Sequence, residues 1–466
     1  MQIPRLMIAA PQGRSGKTTI AIGLCAAITH AGLKVKPFKK GPDYIDPSWL
    51  AAAAGRGCTN LDPFLCERPA LMKGFYESCA DADVALIEAS MGLYDSSSAS
   101  GYGSSAWLAR QLNVPILLVV NAQRMTRSIA AMVKGYMEFE PGTRIAGVIL
   151  NNVAGVRHVD TMVKALERFC GLPVLGALPK DPSLNIKERH LGIVPLKEQA
   201  EADAMIERIR AVFRNHADMD GILKIARSAP EIPDHRYRVP QAHGAVATIG
   251  VVADKAFTFY YPENLQALEK AGARLVYVNA FNDSRLPDMD ALYIGGGFPE
   301  LYAAELENNI GLRADIAEAA QNGLPVYAEC AGLMYLCRSI VKDDRPYRMC
   351  GVIPADVQID KRPQGHGYVI AEVSAPNPIF RQGLVIKGHE FHHSRLTNTD
   401  NLDFAYRILR GRGVNGQFDG IVYKNVFTSY VHLHAWGVPS WAKNFVELAA
   451  ARAKETKVTV NNNGGH

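Results

Sequence analysis

The sequence predicts an α/β protein with a parallel-sheet domain followed by a second α/β domain, and three observations lead to this prediction. Short runs of aliphatic and β-branched residues alternate with helical segments along both halves of the chain. The strand candidates are almost continuously apolar, which is typical of parallel strands covered by helices on both faces. A proline-rich segment without an apolar face interrupts the alternation at residues 228–244. With 466 residues, the chain is also too long for one core at roughly 150 residues per domain.

The alternation assigns strands and helices to each predicted domain. In the first domain we expect strands at Leu6–Ala10, Val84–Glu88, Pro115–Asn121 and Ile145–Asn151, with helices at Thr18–Ala31, Ser104–Leu112 and Ser128–Tyr136. In the second we expect strands at Thr248–Ala253, Arg274–Asn279, Ala291–Ile294 and Pro325–Ala328, with helices at Pro262–Ala271 and from Ala331. The predicted domains are 1–230 and 247–450, joined by a linker at 231–246 and followed by a polar tail at 451–466.

Composition and charge narrow the class of protein. Hydrophobic residues make up 48% and charged residues 21% of the chain, which is the balance of a globular protein. The net charge of +5 is a mild excess without a block of Lys and Arg, so we expect no nucleic-acid partner and an anionic small substrate. The apolar start breaks at Pro11, and no apolar run approaches the roughly 18 residues of a membrane span.

The cysteines indicate a reducing compartment. The eight thiols show neither C-x-x-C spacing nor a compact framework. We therefore expect free thiols in a cytoplasmic protein without a membrane partner.

A glycine-rich turn after the first strand has the composition of a phosphate-binding loop. Lys17 would reach the β/γ-phosphates of ATP, and Thr18 would ligate Mg²⁺. Pro11 replaces the first glycine of the usual pattern, so a plain strand–helix turn with an exposed lysine is the alternative. The order of strand, loop and helix favours the nucleotide site. Its candidate residues are Gly13, Arg14, Ser15, Gly16, Lys17, Thr18 and Thr19.

Carboxylates near the ends of strands are candidates for holding the Mg²⁺ that accompanies ATP. Glu88 ends the strand VALIE, and Asp43 and Asp46 lie in the turn-rich segment KKGPDYIDP. Ligands of open α/β sheets gather at the carboxyl ends of the strands. A solvated loop is the alternative for these residues.

Two further features flank these carboxylates. Lys39 and Lys40 precede Asp43 and could hold an anionic substrate or phosphate. Asp95 follows Glu88 in MGLYDSSSASGYGSS, and the Gly/Ser-rich run after it is either a loop over the site or a linker.

Cys330 has the sequence context of a nucleophile. It follows an apolar strand in LPVYAECAGLMYL and precedes a small-residue turn into a helix. We expect the helix N-terminus to lower the pKa of the thiol. The N–H of Ala331 and the glycine run at Gly296 and Gly297 are candidate oxyanion donors, each worth about 3 kcal/mol in the transition state. A buried core thiol is the alternative.

Two histidines are candidates for the base. His432 and His434 lie in SYVHLH, where strand spacing would project both from one face. They could also bind a metal, but no third ligand has suitable spacing. The segment GHEFHHS, at 388–394, adds three histidines, and a polar loop is its alternative.

Taken in order, these motifs resemble the cobyrinic acid a,c-diamide synthase family. The resemblance covers residues 5–445, close to the whole chain, and each motif alone would be weak. The motifs are APQGRSGKTT, KKGPDYIDP, MGLYD, PSLNIKERHLG, AFTFYYPENL, LYIGGGFPELYAAELE, VYAECAGLMYL, GHEFHHS and SYVHLH.

The resemblance implies a fold and a reaction. The first half is similar to the dethiobiotin-synthetase-like branch of P-loop proteins, with Lys17, Thr18 and Glu88 around Mg-ATP and Asp43 as a further Mg²⁺ ligand. The second half resembles a class I glutamine amidotransferase domain. The implied reaction amidates the a and c acetates of a corrin-type tetrapyrrole, cobyrinic or hydrogenobyrinic acid, through an acyl phosphate and with ammonia from L-glutamine. A homodimer is compatible with this class of enzyme.

Individual roles also follow from the resemblance. Cys330 takes the position of the nucleophile and His432 that of the base. The carboxylate substrate is assigned to GPDYID, hence to Asp43, Tyr44 and Asp46, with Lys40 and Asp95 nearby.

The chain departs from the family pattern at three places. Related glutaminases place a Glu two residues after the base, where this chain has His434, so the group that orients His432 is unassigned. The chain reads EASMGLYDS where the family has E-G-V-M-G-L-[FY]-D-G, and Cys-Ala-Gly where it has C-G-G. The changes near Glu88 keep Ni-sirohydrochlorin or a sirohaem-type tetrapyrrole open as substrates. The motifs resemble those of cobyric acid synthase less closely. The alternative without amidation is a regulatory P-loop ATPase of the partitioning type.

Overall fold

A computed structural model describes residues 3–186, 188–189, 192–196, 199, 201–232 and 244–463. The chain forms two compact units, Met1–Arg238 and Val239–His466. Most of the predicted linker at 231–246 lies outside the described residues, as do parts of PSLNIKERHLG and the end of the predicted tail at 464–466. None of the helices in the described ranges combines the length and apolar character needed to cross a bilayer. All eight cysteines are described, and none forms a disulfide.

The first unit contains a seven-stranded sheet in which every neighbouring pair is parallel. Its strands are β1 (Arg5–Ala9), β2 (Val35–Lys40), β3 (Thr59–Leu61), β4 (Val84–Glu88), β5 (Ile116–Asn121), β6 (Ile145–Val153) and β7 (Val174–Pro179). The helices are α1 (Lys17–His30), α2 (Ile45–Ala54), α3 (Arg68–Ser78), α4 (Ser105–Gln111), α5 (Ser128–Glu138), α6 (Val156–Cys170), α7 (Ala202–His216) and α8 (Met219–Arg227). A short antiparallel pair, β8 (Glu188–Arg189) and β9 (Gly192–Ile193), lies between β7 and α7.

The strand order of this sheet positions a ligand site at the end of β1. The order is β3-β2-β4-β1-β5-β6-β7, so the chain builds one side of β1 before it crosses to the other. Ligands of open α/β sheets bind where the strand order reverses. Strands β1 and β4 are buried along their whole length, which explains their continuous apolar runs. The predicted strands and helices of this unit are confirmed to within two residues at each end.

The second unit is richer in strands than the sequence pattern predicts. Its strands are β10 (Ala247–Val252), β11 (Phe257–Phe259), β12 (Ala273–Val278), β13 (Ala291–Ile294), β14 (Gly296–Gly297), β15 (Val326–Glu329), β16 (Cys337–Lys342), β17 (Arg345–Arg348), β18 (Ile353–Ile359), β19 (Gly365–Val373), β20 (Val385–His392), β21 (Ser394–Thr397), β22 (Asp403–Arg410), β23 (Phe418–Tyr423), β24 (Val426–Ser429) and β25 (His432–Leu433). The helices are α9 (Pro262–Lys270), α10 (Ala303–Asn308), α11 (Ile310–Gln321), α12 (Ala331–Leu336) and α13 (Ser440–Asn463).

One ten-stranded mixed sheet dominates this unit. Its order is β12-β10-β13-β15-β24-β23-β22-β19-β20-β25, and the pairs from β12 to β24 are parallel whereas the rest are antiparallel. Only Tyr430 and Val431 separate β24 from β25 in the chain, although β25 pairs with β20 at the end of the order. The antiparallel part must therefore curl back, so that β25 lies close to β24 and β15.

The interpretation of GHEFHHS as a polar loop is wrong. Its first residues belong to β20, which pairs with β19 and β25, and Gly388, His389, Glu390 and His392 are buried. The α/β class predicted for the second domain is confirmed, although the additional strands between Cys337 and Tyr423 were not predicted, because they do not alternate with helices.

Candidate active sites

The glycine-rich turn of the first unit lies between β1 and α1, where the strand order reverses. Gly16 precedes α1 with a left-handed φ of 90°, and a Cβ at this position would lie 2.2 Å from Nδ2 of Asn151. That amide donates to the carbonyl oxygen of Ser15 (3.0 Å), so β6 fixes the turn from the side. A Cβ on Gly13 would meet no atom within 4 Å, which leaves the backbone of Gly13 open to a phosphate. The exposed Arg14 also has a left-handed φ, of 57°.

Lys17 spans this turn. Its ammonium donates to the carbonyl oxygens of Met91 (2.7 Å) and Gln12 (3.3 Å). Burial lowers the pKa of Lys17. The MGLYD segment packs against the turn, since the N–H of Leu93 donates to the carbonyl of Ala10 (2.8 Å). Thr19 lies half-buried in the first turn of α1.

A cluster of carboxylates surrounds one buried lysine beside Thr18. The Thr18 hydroxyl donates to Oε1 of Glu88 (2.6 Å) and lies 3.3 Å from Oδ2 of Asp46. The Lys39 ammonium lies 2.5 Å from Asp46, 3.1 Å from Glu88 and 3.7 Å from Asp43. Asp46 thus contacts the Thr18 hydroxyl, whereas Oδ1 of the predicted metal ligand Asp43 accepts from the N–H groups that begin α2.

The charges of this cluster depend on one another. Burial alone would lower the pKa of Lys39, but Asp46, Glu88 and Asp43 raise it well above its ordinary value. Burial raises the pKa of Glu88, and Lys39 opposes that shift. Burial, followed by the charge of Asp46, raises the pKa of Asp43 to about 7. Lys39 is therefore the internal cation that allows these carboxylates to be buried together.

The other predicted substrate residues lie around this cluster. Tyr44 directly precedes α2 and is half-buried. Burial lowers the pKa of Lys40, which the carboxylates of Asp62 and Asp95 oppose. The side chain of Asp95 accepts from the N–H of Gly92 (2.7 Å) and closes the MGLYD turn. Asp95 is also close enough to Lys40 for its charge to act on the lysine.

This cluster fits a Mg²⁺ that is shared with a nucleotide. Carboxylate and hydroxyl oxygens are the ligands that Mg²⁺ prefers, and Mg²⁺ usually keeps waters and phosphates in its shell. In the described part of the chain, no group of three or more His, Cys, Asp or Glu side chains forms a complete ion-binding cage. Thr18, Glu88 and Asp46 would therefore supply only part of a coordination shell, with phosphate oxygens completing it.

In the second unit, Cys330 stands at a strained turn between β15 and α12. Its φ of 50° and ψ of −97° lie outside the regions that L-residues prefer, which is typical of a nucleophile elbow. The Cys330 N–H donates to the carbonyl of Ser429 (2.7 Å), so β24 helps to hold the turn. The sulfur lies 4.0 Å from the carbonyl oxygen of Phe391.

The expectation of a lowered pKa at Cys330 is wrong. Burial raises the pKa of this thiol well above its ordinary value, and the charge of Glu300 adds to the shift. The N–H of Ala331 acts in the opposite direction but has a smaller effect. The side chain is only 3% exposed, and α12 has six residues, so burial outweighs the helix terminus.

The glycine run lies beside this elbow. The N–H of Gly332 donates to the carbonyl of Gly295 (3.1 Å), and the N–H of Gly295 is held by the Tyr260 hydroxyl (2.7 Å). Gly296 and Gly297 form β14 and pair with β11. A Cβ on Gly296 would lie 2.4 Å from Cε1 of His432, so the base candidate packs directly against the glycine run.

The two histidines of SYVHLH face different carboxylates. Nδ1 of His432 lies 3.7 Å from Oε2 of Glu329, and Nε2 of His434 lies 3.6 Å from Oε2 of Glu263. The His432 ring also stacks on His389, with 4.9 Å between centroids and 17° between planes. Strand spacing therefore does not deliver both imidazoles to Cys330, because the strand ends at Leu433.

Three residues near these sites were not singled out from the sequence. Asn151 fixes the glycine-rich turn, His389 stacks on His432, and Glu329 lies beside the same imidazole. Glu329 had a detectable signal, since it is a carboxylate within the apolar strand VYAE. Asn151 had no signal in the sequence beyond its place at the end of a predicted strand, and His389 had none beyond its place in a histidine-rich segment.

Comparisons with known proteins cover both units. A CobQ/CobB/MinD/ParA nucleotide binding domain matches residues 6–193, and a CobB/CobQ-like glutamine amidotransferase domain matches residues 248–439. A cobyrinate a,c-diamide synthase of Magnetococcus marinus is 42% identical over 95% of this chain and 96% of its own length. Proteins of the same name from Archaeoglobus fulgidus and Methanosarcina acetivorans are 42% and 40% identical, over 96% of this chain and 98% and 95% of their own. The chain therefore belongs to the cobyrinate a,c-diamide synthase family of glutamine-dependent amidoligases.

Proposed function

We propose that this protein amidates the a and c acetate carboxylates of a corrin-type tetrapyrrole, cobyrinic or hydrogenobyrinic acid, with ATP and L-glutamine. The observation that carries the proposal is that the glycine run contacts both the elbow at Cys330 and the imidazole of His432. This arrangement supports a thiol-dependent glutaminase. The nucleotide-binding turn and the carboxylate cluster of the first unit support the ATP-dependent step.

The nitrogen is released in the second unit. His432 takes the proton of the Cys330 thiol, and the sulfur attacks the carboxamide carbon of glutamine. The N–H of Ala331 and the backbone of Gly296 and Gly297 stabilise the oxyanion. The C–N bond breaks as ammonia leaves with a proton, and water then hydrolyses the thioester to glutamate. Because burial raises the pKa of Cys330, the thiol depends on a neighbouring base to become a nucleophile at neutral pH.

The carboxylate is activated in the first unit. An acetate oxygen attacks the γ-phosphorus of ATP, so ADP leaves and an acyl phosphate forms. Ammonia attacks the acyl carbon, and inorganic phosphate leaves with the oxygen that a free carboxylate could not release. Lys17 neutralises charge on the β/γ-phosphates, and Gly13 and Gly16 offer N–H groups to them. In this scheme Lys40, Tyr44 and Asp95 hold the substrate, and their positions near the cluster support that role.

Thr18, Glu88 and Asp46 would hold Mg²⁺ on the phosphates. When bound, Mg²⁺ supplies charge neutralisation for phosphoryl transfer. Asp43 is the further candidate, although its Oδ1 already accepts two backbone N–H groups.

Two other functions fit parts of the chain. Ni-sirohydrochlorin and sirohaem-type tetrapyrroles would undergo the same chemistry, and the segment EASMGLYDS near Glu88 keeps them as test substrates. A regulatory P-loop ATPase would have no use for the elbow at Cys330 or for the imidazole of His432 beside the glycine run. The identity to amidotransferase relatives also extends through both units, which argues against that function.

Mass spectrometry of the product tests the proposal. The protein is incubated with Mg-ATP, glutamine and each tetrapyrrole acid, and two amidations should lower the product mass by the same small step twice. Cys330→Ser should lose amidation with glutamine but keep it with ammonium chloride. Loss of both reactions in a folded Cys330→Ser variant would contradict separate nitrogen-releasing and nitrogen-using sites. Absence of an amidated product from every acid with the parent protein would overturn the function.

A further inference from the structure

The imidazole of His432 has a carboxylate neighbour from the residue just before the nucleophile. Oε2 of Glu329 lies 3.7 Å from Nδ1 of His432, and both side chains are 1% exposed. Glu329 ends β15, and Cys330 follows it directly. We infer that Glu329 is the positioning residue that orients His432 during glutamine hydrolysis, in place of a carboxylate two residues after the base. The inference rests on the proposed glutaminase function.

Hydrogen bonds fix the Glu329 carboxylate where His432 needs it. The hydroxyl of Tyr327 donates to Oε1 (2.8 Å), and that of Tyr293 donates to Oε2 (3.1 Å). The N–H of Leu433 also donates to Oε1 (3.1 Å). Because Leu433 is next to His432 in β25, one carboxylate holds both the strand and the ring. Three donors also satisfy the buried carboxylate, which would otherwise be costly to bury.

The other surroundings of His432 leave it little freedom. A Cβ on Gly296 would lie 2.4 Å from Cε1 and 3.2 Å from Nε2 of the ring. The parallel stack with His389 covers one face. Nδ1 is therefore turned toward Glu329, while the Cε1–Nε2 edge is turned toward the glycine run. That run contacts the Cys330 elbow through the bond from Gly332 to Gly295.

This orientation has a chemical consequence. A proton on Nδ1 directed at Glu329 leaves Nε2 as the nitrogen that can accept the thiol proton. The imidazolium that forms then has a fixed negative charge beside Nδ1, as the buried aspartate provides in serine protease triads. His434 does not take this part, because its Nε2 faces Glu263 instead (3.6 Å).

The pair of His434 and Glu263 provides a matched control. Both pairs are buried Glu–His pairs with nearly equal separations, and their histidines lie two residues apart. Glu263→Gln therefore removes a carboxylate at nearly the same distance from an imidazole as Glu329→Gln does, but this carboxylate is not in β15. A general effect of removing a buried carboxylate would appear in both variants.

Steady-state glutamine hydrolysis tests the inference. In Glu329→Gln, whose single amide oxygen can still accept from one of the two tyrosines, kcat should fall by roughly 10²–10⁴-fold with KM for glutamine changed less than about threefold. Glu329→Asp should recover at least about tenfold over Glu329→Gln, because the charge remains. Labelling of Cys330 by a diazoketone analogue of glutamine, followed by intact mass, should slow in parallel. Amidation by Glu329→Gln with ammonium chloride should match that of the parent protein within about twofold. The glutaminase activity of Glu263→Gln should also match that of the parent protein within about twofold.

Each outcome has a distinct meaning. Parent-like hydrolysis in Glu329→Gln, or an equal loss in Glu263→Gln, overturns the role of Glu329 alone. If Glu329→Gln does not fold, as judged by circular dichroism, Glu329→Asp and Tyr327→Phe decide the matter. Reduced kcat with little change in KM in both supports the inference, and parent-like rates in both overturn it. A parent protein that does not hydrolyse glutamine in the presence of substrate overturns the proposed function and this inference together.

Discussion

The ammonium of Lys39 lies 3.1 Å from Oε1 of Glu88, and both side chains are buried at the carboxyl edge of the parallel sheet. The same ammonium contacts Asp46 and Asp43. One lysine therefore neutralises part of a cluster that carries three carboxylates. Removing one partner of a buried ion pair usually costs more than the pair contributes, because the remaining charge is left uncompensated.

Lys39→Met should lower the free energy of unfolding by about 3–5 kcal/mol at pH 7. The loss should shrink at pH 5, since burial raises the pKa of Glu88 and protonation removes its charge. Urea unfolding followed by circular dichroism measures both values. Lys36→Met, on the same strand but less buried, should cost under about 1 kcal/mol and serves as the control. A loss that does not change with pH would contradict the charge explanation.

Gly16→Ala should weaken nucleotide binding without affecting glutamine hydrolysis. A Cβ would lie 2.2 Å from Nδ2 of Asn151, and the φ of 90° is strained for any L-residue. We expect at least a roughly tenfold loss of affinity for a fluorescent ATP analogue in equilibrium titration. Gly135→Ala, where a Cβ would meet nothing within 4 Å, should bind like the parent protein. Unchanged affinity in Gly16→Ala would show that nucleotide binds elsewhere.

Gly296→Ala should impair the use of glutamine and spare the use of ammonia. The new Cβ would lie 2.4 Å from Cε1 of His432 and must displace the ring. Because a misplaced base costs orders of magnitude in rate, kcat for glutamine hydrolysis should fall by about 10²-fold or more. Gly244→Ala has open space around the Cβ and provides the control. Equal losses with glutamine and with ammonium chloride would point to global damage instead.

Asp419→Asn should change how stability depends on pH. Burial raises the pKa of Asp419 to about 7, and the charge of Glu390 adds to the shift. The unfolded chain has an Asp pKa of about 3.9, so the folded state binds this proton more tightly. The stabilising contribution is therefore complete below about pH 4 and is lost as the pH rises through about 7.

The asparagine side chain cannot ionise, so the free energy of unfolding of Asp419→Asn should rise relative to that of the parent protein between about pH 4 and about pH 8. The difference should reach up to a few kcal/mol, as expected from the size of the pKa shift. Unfolding free energies at several pH values measure the difference. The exposed Asp403→Asn should show no such trend. A difference that is independent of pH would mean that Asp419 is ionised throughout.

The parallel part of the fold could be predicted from the sequence because its strands carry a simple signal. Strands such as Val84–Glu88 are buried on both faces, so their apolar runs are continuous and their ends are clear. The antiparallel strands alternate between buried and half-exposed positions, as in Gly365–Val373. Buried histidines in Val385–His392 made that strand resemble a polar loop, since imidazole is rarely an indicator of a strand.

The candidate sites were predictable where chemistry demands particular residues in sequence. Gly16, Lys17 and Thr18 are consecutive, so their order between a strand and a helix predicts phosphate binding. The pKa of Cys330 was not predictable in this way, because it depends on how deeply the fold buries the thiol. The neighbours of His432 come from strands far apart in the chain, and only the curl of the sheet brings them together.

That curl also sets the order in which the parts of the thiol site become available. The thiol of Cys330 is present as soon as β15 has been made, but the imidazole of His432 arrives only with β25, which pairs with β20. A growing chain thus carries its sulfur through a long interval without a partner base. In the proposed reaction, therefore, no ammonia is released from glutamine until β25 has paired with β20.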